Sequence, residues 1–293
     1  MTEKILVVFH LYYHNQIPYF ISKMKNITGV EWDLIVTGNN LTKESADAIR
    51  KFKPDARFME TENRGYDIWP FIQCIKGIDL SKYLYVIKLH TKNEDESMVI
   101  QFNGIKFRGR KWLSLMVNAL LRSPERFTKN HNAFVSRPKL GLIYSMDVNV
   151  TTRDSNIEDG KMLTDELARL GIKPLSREYC AGTMFAVRAS ALEFLKDERI
   201  KSDIFPASKG SHNNGTLTHA YERILCIAVS AQGYQKKLIK SSRYRYFYFF
   251  VKRNIQPFLT WLFEINYHGE ERQKYLTIFG FRFKLPSKEV KNA

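Results

Sequence analysis

Over the first ninety positions, apolar residues fall in short runs separated by polar, glycine-containing stretches. Val, Ile and Leu cluster in KILVVFHLY (4–12), EWDLIVTGN (31–39) and YLYVIKLHTKN (83–93), with a shorter run in ARFMETEN. Short apolar runs bounded by turn residues read as buried strands. Between them IPYFISKMKNI (17–27) repeats its apolar residues near helical spacing, and TKESADAIRKFK predicts a helix that Thr42 caps, with Glu44 and Ser45 close behind. Residues 94–135 are polar and then helical around KWLSLMVNALL, and LGLIYS (140–145) returns to strand. MLTDELARLGI predicts a helix stopped by Gly171, and EYCAGTMFAVR a strand broken by Gly182 before a helix in ASALEFL. A last helix in GTLTHAYERILCIAVSAQGY ends at Gly233. Strands alternating with helices imply an α/β fold whose central sheet is mostly parallel. We expect one such domain over 1–237 and a basic, aromatic extension over 238–293.

Composition sharpens this picture. At 293 residues and 44% hydrophobic, the chain suffices for one sizeable core. Its net charge of +16 favours anionic partners, and from Lys240 onward eleven Lys or Arg stand against four Glu, in a segment dense in aromatics (RYRYFYFFVKRNIQPFLTWLF). Arg243, Arg245, Lys252, Arg253 and Trp261 in that segment suit an interfacial surface, with a packed aromatic helix as the alternative. YLTIFGFRFKLP (275–286) predicts a small strand pair around Gly280. Cys74, Cys180 and Cys226 lack the spacing of a disulfide framework or zinc knuckle, so a reducing, cytoplasmic setting is expected. The first apolar run is too short for a signal-peptide core, and no run reaches the length of a membrane span, so any membrane contact is expected to be peripheral. P-loop, dinucleotide, zincin and hydrolase motifs are absent.

In open α/β sheets, ligands lie beyond the carboxyl ends of the strands. That rule selects FHLYYHN, ENRGYDIWP, KLHTKN and AGTMF. In ENRGYDIWP, Gly65 permits a tight turn, Asn63 and Arg64 supply donors, and Asp67 either faces a nucleotide or caps the following helix. In KLHTKN, Lys88, His90 and Lys92 suit a diphosphate, since cations there neutralise charge growing on a departing phosphate; the alternative is that they face solvent. Gly182 and Thr183 allow a sugar or acceptor to approach the backbone, or mark a bulge in a strand. His219 and Glu222 share a helical face next to Arg223, where either can accept a proton or serve as a cap and an ion pair. His10 and His14 lack further ligands and make a poor metal site.

Taken in order, ENRGYDIWPFI, YLYVIKLHTKN, YCAGTMFAVRASALEFL and GTLTHAYERIL resemble the rhamnan synthesis protein F family of bacterial polysaccharide glycosyltransferases, over roughly residues 4–235. The resemblance implies a glycosyltransferase with a GT-A-like nucleotide-sugar-binding domain that extends an O-antigen (lipopolysaccharide), a capsule or another surface glycan. It assigns Asn63, Arg64, Gly65 and Asp67 to the donor nucleotide, Lys88, His90 and Lys92 to its diphosphate, and Gly182, Thr183 and Met184 to the sugar and acceptor floor. The general base is then one of His219, Glu222 and Asp67. Typical GT-A enzymes carry an Asp-x-Asp for a divalent metal where this chain reads Leu89, His90, Thr91. No cofactor is therefore assigned, and Mg²⁺ or Mn²⁺ would need carboxylates elsewhere. The implied partners are a dTDP-rhamnose or UDP-sugar (galactofuranose-type) donor, a lipid-linked glycan, other polysaccharide assembly enzymes and the cytoplasmic face of the inner membrane. Nucleic acid is not an expected partner, because the basic and aromatic residues concentrate in the tail while the strand ends carry Gly, His and Asp. Nucleic-acid binding and a non-catalytic scaffold remain the alternatives.

Overall fold

The structure, a computed structural model, describes residues 3–95, 97, 99–102, 105–152, 157–208, 215–240, 251, 255–268 and 273–284. The strands of the first part are β1 (Ile5–His10), β2 (Trp32–Gly38), β3 (Arg57–Glu60), β4 (Tyr85–His90), β5 (Val99–Phe102), β6 (Ile105–Arg108), β7 (Leu140–Ser145), β8 (Asn149–Thr151), β9 (Glu178–Cys180), β10 (Phe185–Arg188) and β11 (Gln235–Ile239). Every residue of β1, β4 and β7 is buried, which explains their unbroken apolar runs. Seven strands form one sheet in the order β11-β7-β10-β4-β1-β2-β3. All neighbours are parallel except β10, which runs antiparallel to both β4 and β7. The α/β architecture with a mostly parallel sheet is thus observed.

Its helices are α1 (Ile17–Met24), α2 (Lys43–Phe52), α3 (Ile68–Lys76), α4 (Gly109–Leu121), α5 (Pro124–Ser136), α6 (Ile157–Arg169) and α7 (Leu217–Ala231). Thr42 caps α2 as expected, its hydroxyl accepting from the Ser45 N–H at 3.3 Å. The segment Ala189–Lys196 is a 3₁₀ helix rather than an α-helix. Its three-residue turn stacks Ala189, Leu192 and Leu195, all fully buried, on one face.

β1 pairs with β2 on one side and β4 on the other, so the strand order reverses between β1 and β4. Their last residues, His10 and His90, are register partners. Such a switch point opens a crevice at the carboxyl ends of the strands.

The chain divides into two compact units, Met1–Ile239 and Lys240–Ala293. Position 237, the expected boundary, lies inside β11, the edge strand of the large sheet. The second unit contains a short helix, Gln256–Leu262, and an antiparallel sheet of β12 (Phe263–His268), β13 (Gln273–Ile278) and β14 (Phe281–Lys284). Phe279 and Gly280 join β13 to β14 with φ of 49° and 80°. Two successive positive φ angles match the twist of a hairpin. Arg243, Arg245, Lys252 and Arg253, expected at a membrane surface, lie outside the described residues.

Candidate active site

Two short turns build the site. Gly65 and Tyr66 have φ of 60° and 53°, and Gly182 and Thr183 have φ of 87° and 50°. A β-branched residue in the left-handed region is strained by about 1–2 kcal/mol, and such strain persists only where surrounding bonds fix it. At Thr183 those bonds are visible. Its N–H donates to the Cys180 carbonyl at 3.1 Å, and its hydroxyl donates to Asp67 Oδ2 at 2.6 Å.

Asp67 occupies the N-cap position of α3, yet its carboxylate makes no capping bond. It points instead at Lys88, whose ammonium pairs with Asp67 Oδ2 and donates to Thr183 Oγ1 at 2.9 Å. Lys88 projects from the middle of β4 and is 1% exposed, with its ammonium 5.4 Å from the centre of the Phe71 ring. The expectation that Lys88 is a strand-tip cation free for a diphosphate therefore changes: it is an interior ammonium with two partners. The Asp67 side chain retains 16% exposure, so this carboxylate is the member of the pair that reaches solvent.

His90 lies beside them. Its Nε2 is 2.8 Å from the Gly182 carbonyl oxygen, 3.5 Å from Thr183 Oγ1 and 3.6 Å from Asp67 Oδ2. Burial pushes its imidazole down to about 3 against the pull of Asp67. Its Nδ1 lies 3.0 Å from the Thr91 carbonyl oxygen, so both ring nitrogens face oxygen acceptors. Burial would raise the Asp67 carboxyl, but the neighbouring His90, Lys88 and Lys92 outweigh it and hold the group below the usual carboxylate range. Lys92 follows β4, with its ammonium 3.7 Å from the centre of the Trp112 ring. Burial pushes that ammonium down, and Asp67 and Glu222 oppose the shift. Glu222, on α7, accepts from the Gly182 N–H at 2.6 Å through Oε1.

Asp67, Lys88, His90, Lys92, Gly182, Thr183 and Glu222 are thus brought together. His219 is tied by Nδ1 to Thr216 Oγ1 at 2.9 Å, at the start of α7. Asn63 and Arg64 bond to the segment 205–208: the Asn63 amide to the Ser208 carbonyl at 3.4 Å and the Arg64 guanidinium to the Phe205 carbonyl at 2.9 Å. The Gly65 N–H donates to the Pro206 carbonyl at 3.1 Å. These three clamp the turn in place. Met184 is fully buried in the core, so its side chain packs rather than lining a sugar floor.

Other contributors were not singled out by sequence. Thr91 Oγ1 accepts from the N–H groups of Tyr12 and Tyr13 at 2.9 and 3.0 Å, stitching the chain after β1 to the chain after β4. The Gln16 amide bonds both ways to the Lys92 backbone, at 2.5 and 3.1 Å. Trp112 on α4 forms the wall under Lys92 and Gly182.

A pH prediction arises from His10, which is buried at the end of β1 with Nδ1 3.1 Å from Thr37 Oγ1. Burial pushes its imidazole down from 6.5 to about 4. Between those values the unfolded chain binds more protons than the folded one, so stability falls as pH falls. A full proton of difference contributes about 1.4 kcal/mol per pH unit; with about half a proton of difference at pH 6.5 and nearly one at pH 5, the loss between them is about 1.6 kcal/mol. Urea midpoints at the two pH values are expected to show this loss, and His10→Gln to reduce it.

The residues at the strand end do not fit a divalent metal. The nearest carboxylate already holds an ammonium and a hydroxyl, and each nitrogen of the imidazole is covered by a carbonyl oxygen. Among the described residues, no group of three or more His, Cys, Asp or Glu is placed to hold an ion.

The family described as rhamnan synthesis protein F matches residues 1–234. Proteins from two strains of Xanthomonas campestris pv. campestris, each described as uncharacterized protein WxcX, are 27% identical over 240 residues. The match covers 80% of this chain and 33% of theirs, so the chain spans a third of the length of these relatives. Solved structures with similarity include S. aureus TarS 1–349, at 12% identity and TM-score 0.39, covering 82% of this chain and 58% of that one. A mannosyltransferase from Pyrobaculum calidifontis, in complex with GDP-Man and Mn²⁺, is 12% identical with TM-score 0.41, covering 86% and 60%. Glucosyl-3-phosphoglycerate synthase from Mycobacterium tuberculosis is 12% identical with TM-score 0.34, covering 98% and 88%.

Proposed function

The chain belongs to the rhamnan synthesis protein F family, and on that premise we propose that it is a glycosyltransferase of GT-A-like organisation, moving a sugar from a nucleotide-sugar donor onto a growing surface polysaccharide. The observation that carries this reading is the buried Asp67–Lys88–Thr183 network at the switch between β1 and β4, with Lys92 beside it. A diphosphate leaving group needs positive charge that is already oriented when the sugar–oxygen bond breaks. Lys92, less buried than Lys88, is the cation we assign to the diphosphate; Lys88 and Thr183 fix Asp67 at the floor of the donor site. The donor is of the dTDP-rhamnose or UDP-sugar class. The acceptor is a lipid-linked glycan at the cytoplasmic face of the inner membrane, where other assembly enzymes meet it.

In a single displacement the acceptor hydroxyl attacks the anomeric carbon, the bond to the diphosphate oxygen breaks, and the hydroxyl proton passes to a base. Asp67, held below the usual range, keeps its charge but takes a proton poorly. Glu222 binds Gly182 through Oε1 only, and we assign Oε2 as the base. Glu222→Gln keeps an oxygen for the Gly182 N–H and removes the base. Turnover is expected to fall by about 10²–10⁴-fold with the melting temperature unchanged, whereas Glu222→Ala lowers both.

The experiment that tests the proposal is thermal melting with a panel of UDP-, dTDP- and GDP-sugars in excess EDTA. A ligand of the folded state raises the transition by mass action. One class of nucleotide sugar is expected to raise it, and Lys92→Ala to remove the rise. Stabilisation by oligonucleotides with none by any nucleotide sugar would overturn the reading.

A further inference from the structure

The register of the second unit sorts its side chains into two unlike faces. Phe263 pairs with Ile278 and Ile278 with Phe281, while Leu276 pairs with Phe283. Directly paired residues point to the same side of an antiparallel sheet, and neighbours along a strand to opposite sides. Phe263, Leu276, Ile278, Phe281 and Phe283 therefore share one face. Tyr275, Thr277, Arg282 and Lys284 share the other, with the Arg282 guanidinium 5.9 Å from the Tyr275 ring centre.

Leu276 and Ile278 on the central strand are half-buried, but the aromatic residues paired with them are open. Phe263 is 58% exposed, Phe281 72% and Phe283 52%, and Trp261 and Phe279 beside them are 51% and 57% exposed. A contiguous open aromatic face marks a surface that meets something apolar. The charge carried by the segment's sequence selects what. From Lys240 onward the segment carries eleven Lys or Arg and four Glu, and residues 275–284 contain Arg282 and Lys284 with no acid.

We propose that this sheet face docks on an anionic bilayer, with Phe281 and Phe283 entering the boundary between headgroups and acyl chains. Phe and Trp favour that depth, and Arg282 and Lys284, on the opposite face of the edge strand β14, reach lipid phosphates only by extending their stems around its open edge. Such cations act within a Debye length, about 8 Å at physiological ionic strength. The proposal rests on the membrane-side acceptor of the proposed function, and it centres the contact on the face of β13 and β14, with Phe263 of β12 beside it.

The test is flotation of the full chain with vesicles of phosphatidylcholine, with and without phosphatidylglycerol, while the donor-induced rise in melting temperature is followed in the same preparations. The wild type is expected to float with anionic vesicles. Phe281→Ser with Phe283→Ser is expected to weaken partitioning by about tenfold or more, with the donor response intact. Arg282→Gln with Lys284→Gln is expected to remove the preference for phosphatidylglycerol. Phe283→Trp keeps the strand apolar, and its added emission is expected to shift to the blue on anionic vesicles. A wild type that does not float, or a double serine variant that floats as well as wild type, overturns the proposal. So does a serine variant that splits a dimer without changing flotation, because the face then joins two copies. A lost donor response with flotation intact would instead count against the glycosyltransferase reading.

Discussion

Asp67→Ala is expected to cost about 3–5 kcal/mol of folding stability, because it strands a buried ammonium. Lys88 is 1% exposed and its polar partners are Asp67 and Thr183. A hydroxyl alone does not neutralise it. Removing the other partner is milder: Lys88→Met leaves Asp67 with its Thr183 bond and 16% exposure to solvent. The double variant Asp67→Ala, Lys88→Met is therefore expected to be more stable than Asp67→Ala alone. Urea denaturation of the four proteins measures the coupling as a double-mutant cycle. Additive losses would mean that the two groups do not depend on each other. The donor-induced rise in melting temperature is expected to vanish in every variant lacking Asp67.

Gly182→Ala is expected to be nearly as damaging, by about 2–5 kcal/mol, from two causes that can be separated. The position has φ of +87°, and an added Cβ would lie 2.8 Å from both Met116 Sδ and Trp112 Cζ2 and 3.2 Å from Lys92 Cε. The backbone accounts for about 1–2 kcal/mol and overpacking for about 1–3 kcal/mol. Gly171 supplies the control, since its φ is +70° and a Cβ there meets nothing within 4 Å. Gly171→Ala should show the backbone cost alone. Combining Gly182→Ala with Trp112→Leu should recover part of the packing cost and none of the backbone cost. Because Lys92 must move in Gly182→Ala, donor affinity is expected to fall even under conditions where the variant is fully folded.

Much of the fold was legible from local pattern. LGLIYS spans the whole of β7, and the helix after Thr42 has the expected cap, because both signals lie within a few residues of each other. β11 was missed: QKKLI carries two lysines in five residues, and its pairing with β7 comes from the far side of the domain. The hairpin of β5 and β6 was also missed, although VIQFNGIKFR (99–108) alternates apolar and polar residues around an Asn-Gly pair; the charged residues just before it masked that signal. At the site, the rule about strand ends found Asp67, Lys88, His90 and Gly182 individually. It did not find who bonds to whom, because Lys88 and Thr183 are 95 residues apart, and Asp67 and Thr183 are 116 apart. The same limit cast Lys88 as a surface cation. Only the structure shows α3, through Phe71, and the turn at Thr183 packed over Lys88, which turns a strand-end lysine into an interior one.

The antiparallel seat of β10 between β4 and β7 also bears on the order in which the chain reaches its native state. During synthesis from the amino terminus, β1 to β4 can assemble from the first ninety residues, but the partner of β4's other edge is still unmade. At about 5–20 residues per second, the 95 residues separating Lys88 from Thr183 take roughly 5–20 s to appear. For that interval β4 is an open edge with free backbone donors and acceptors, and the future interior ammonium of Lys88 serves as the charged guard that keeps the edge from pairing with other nascent chains.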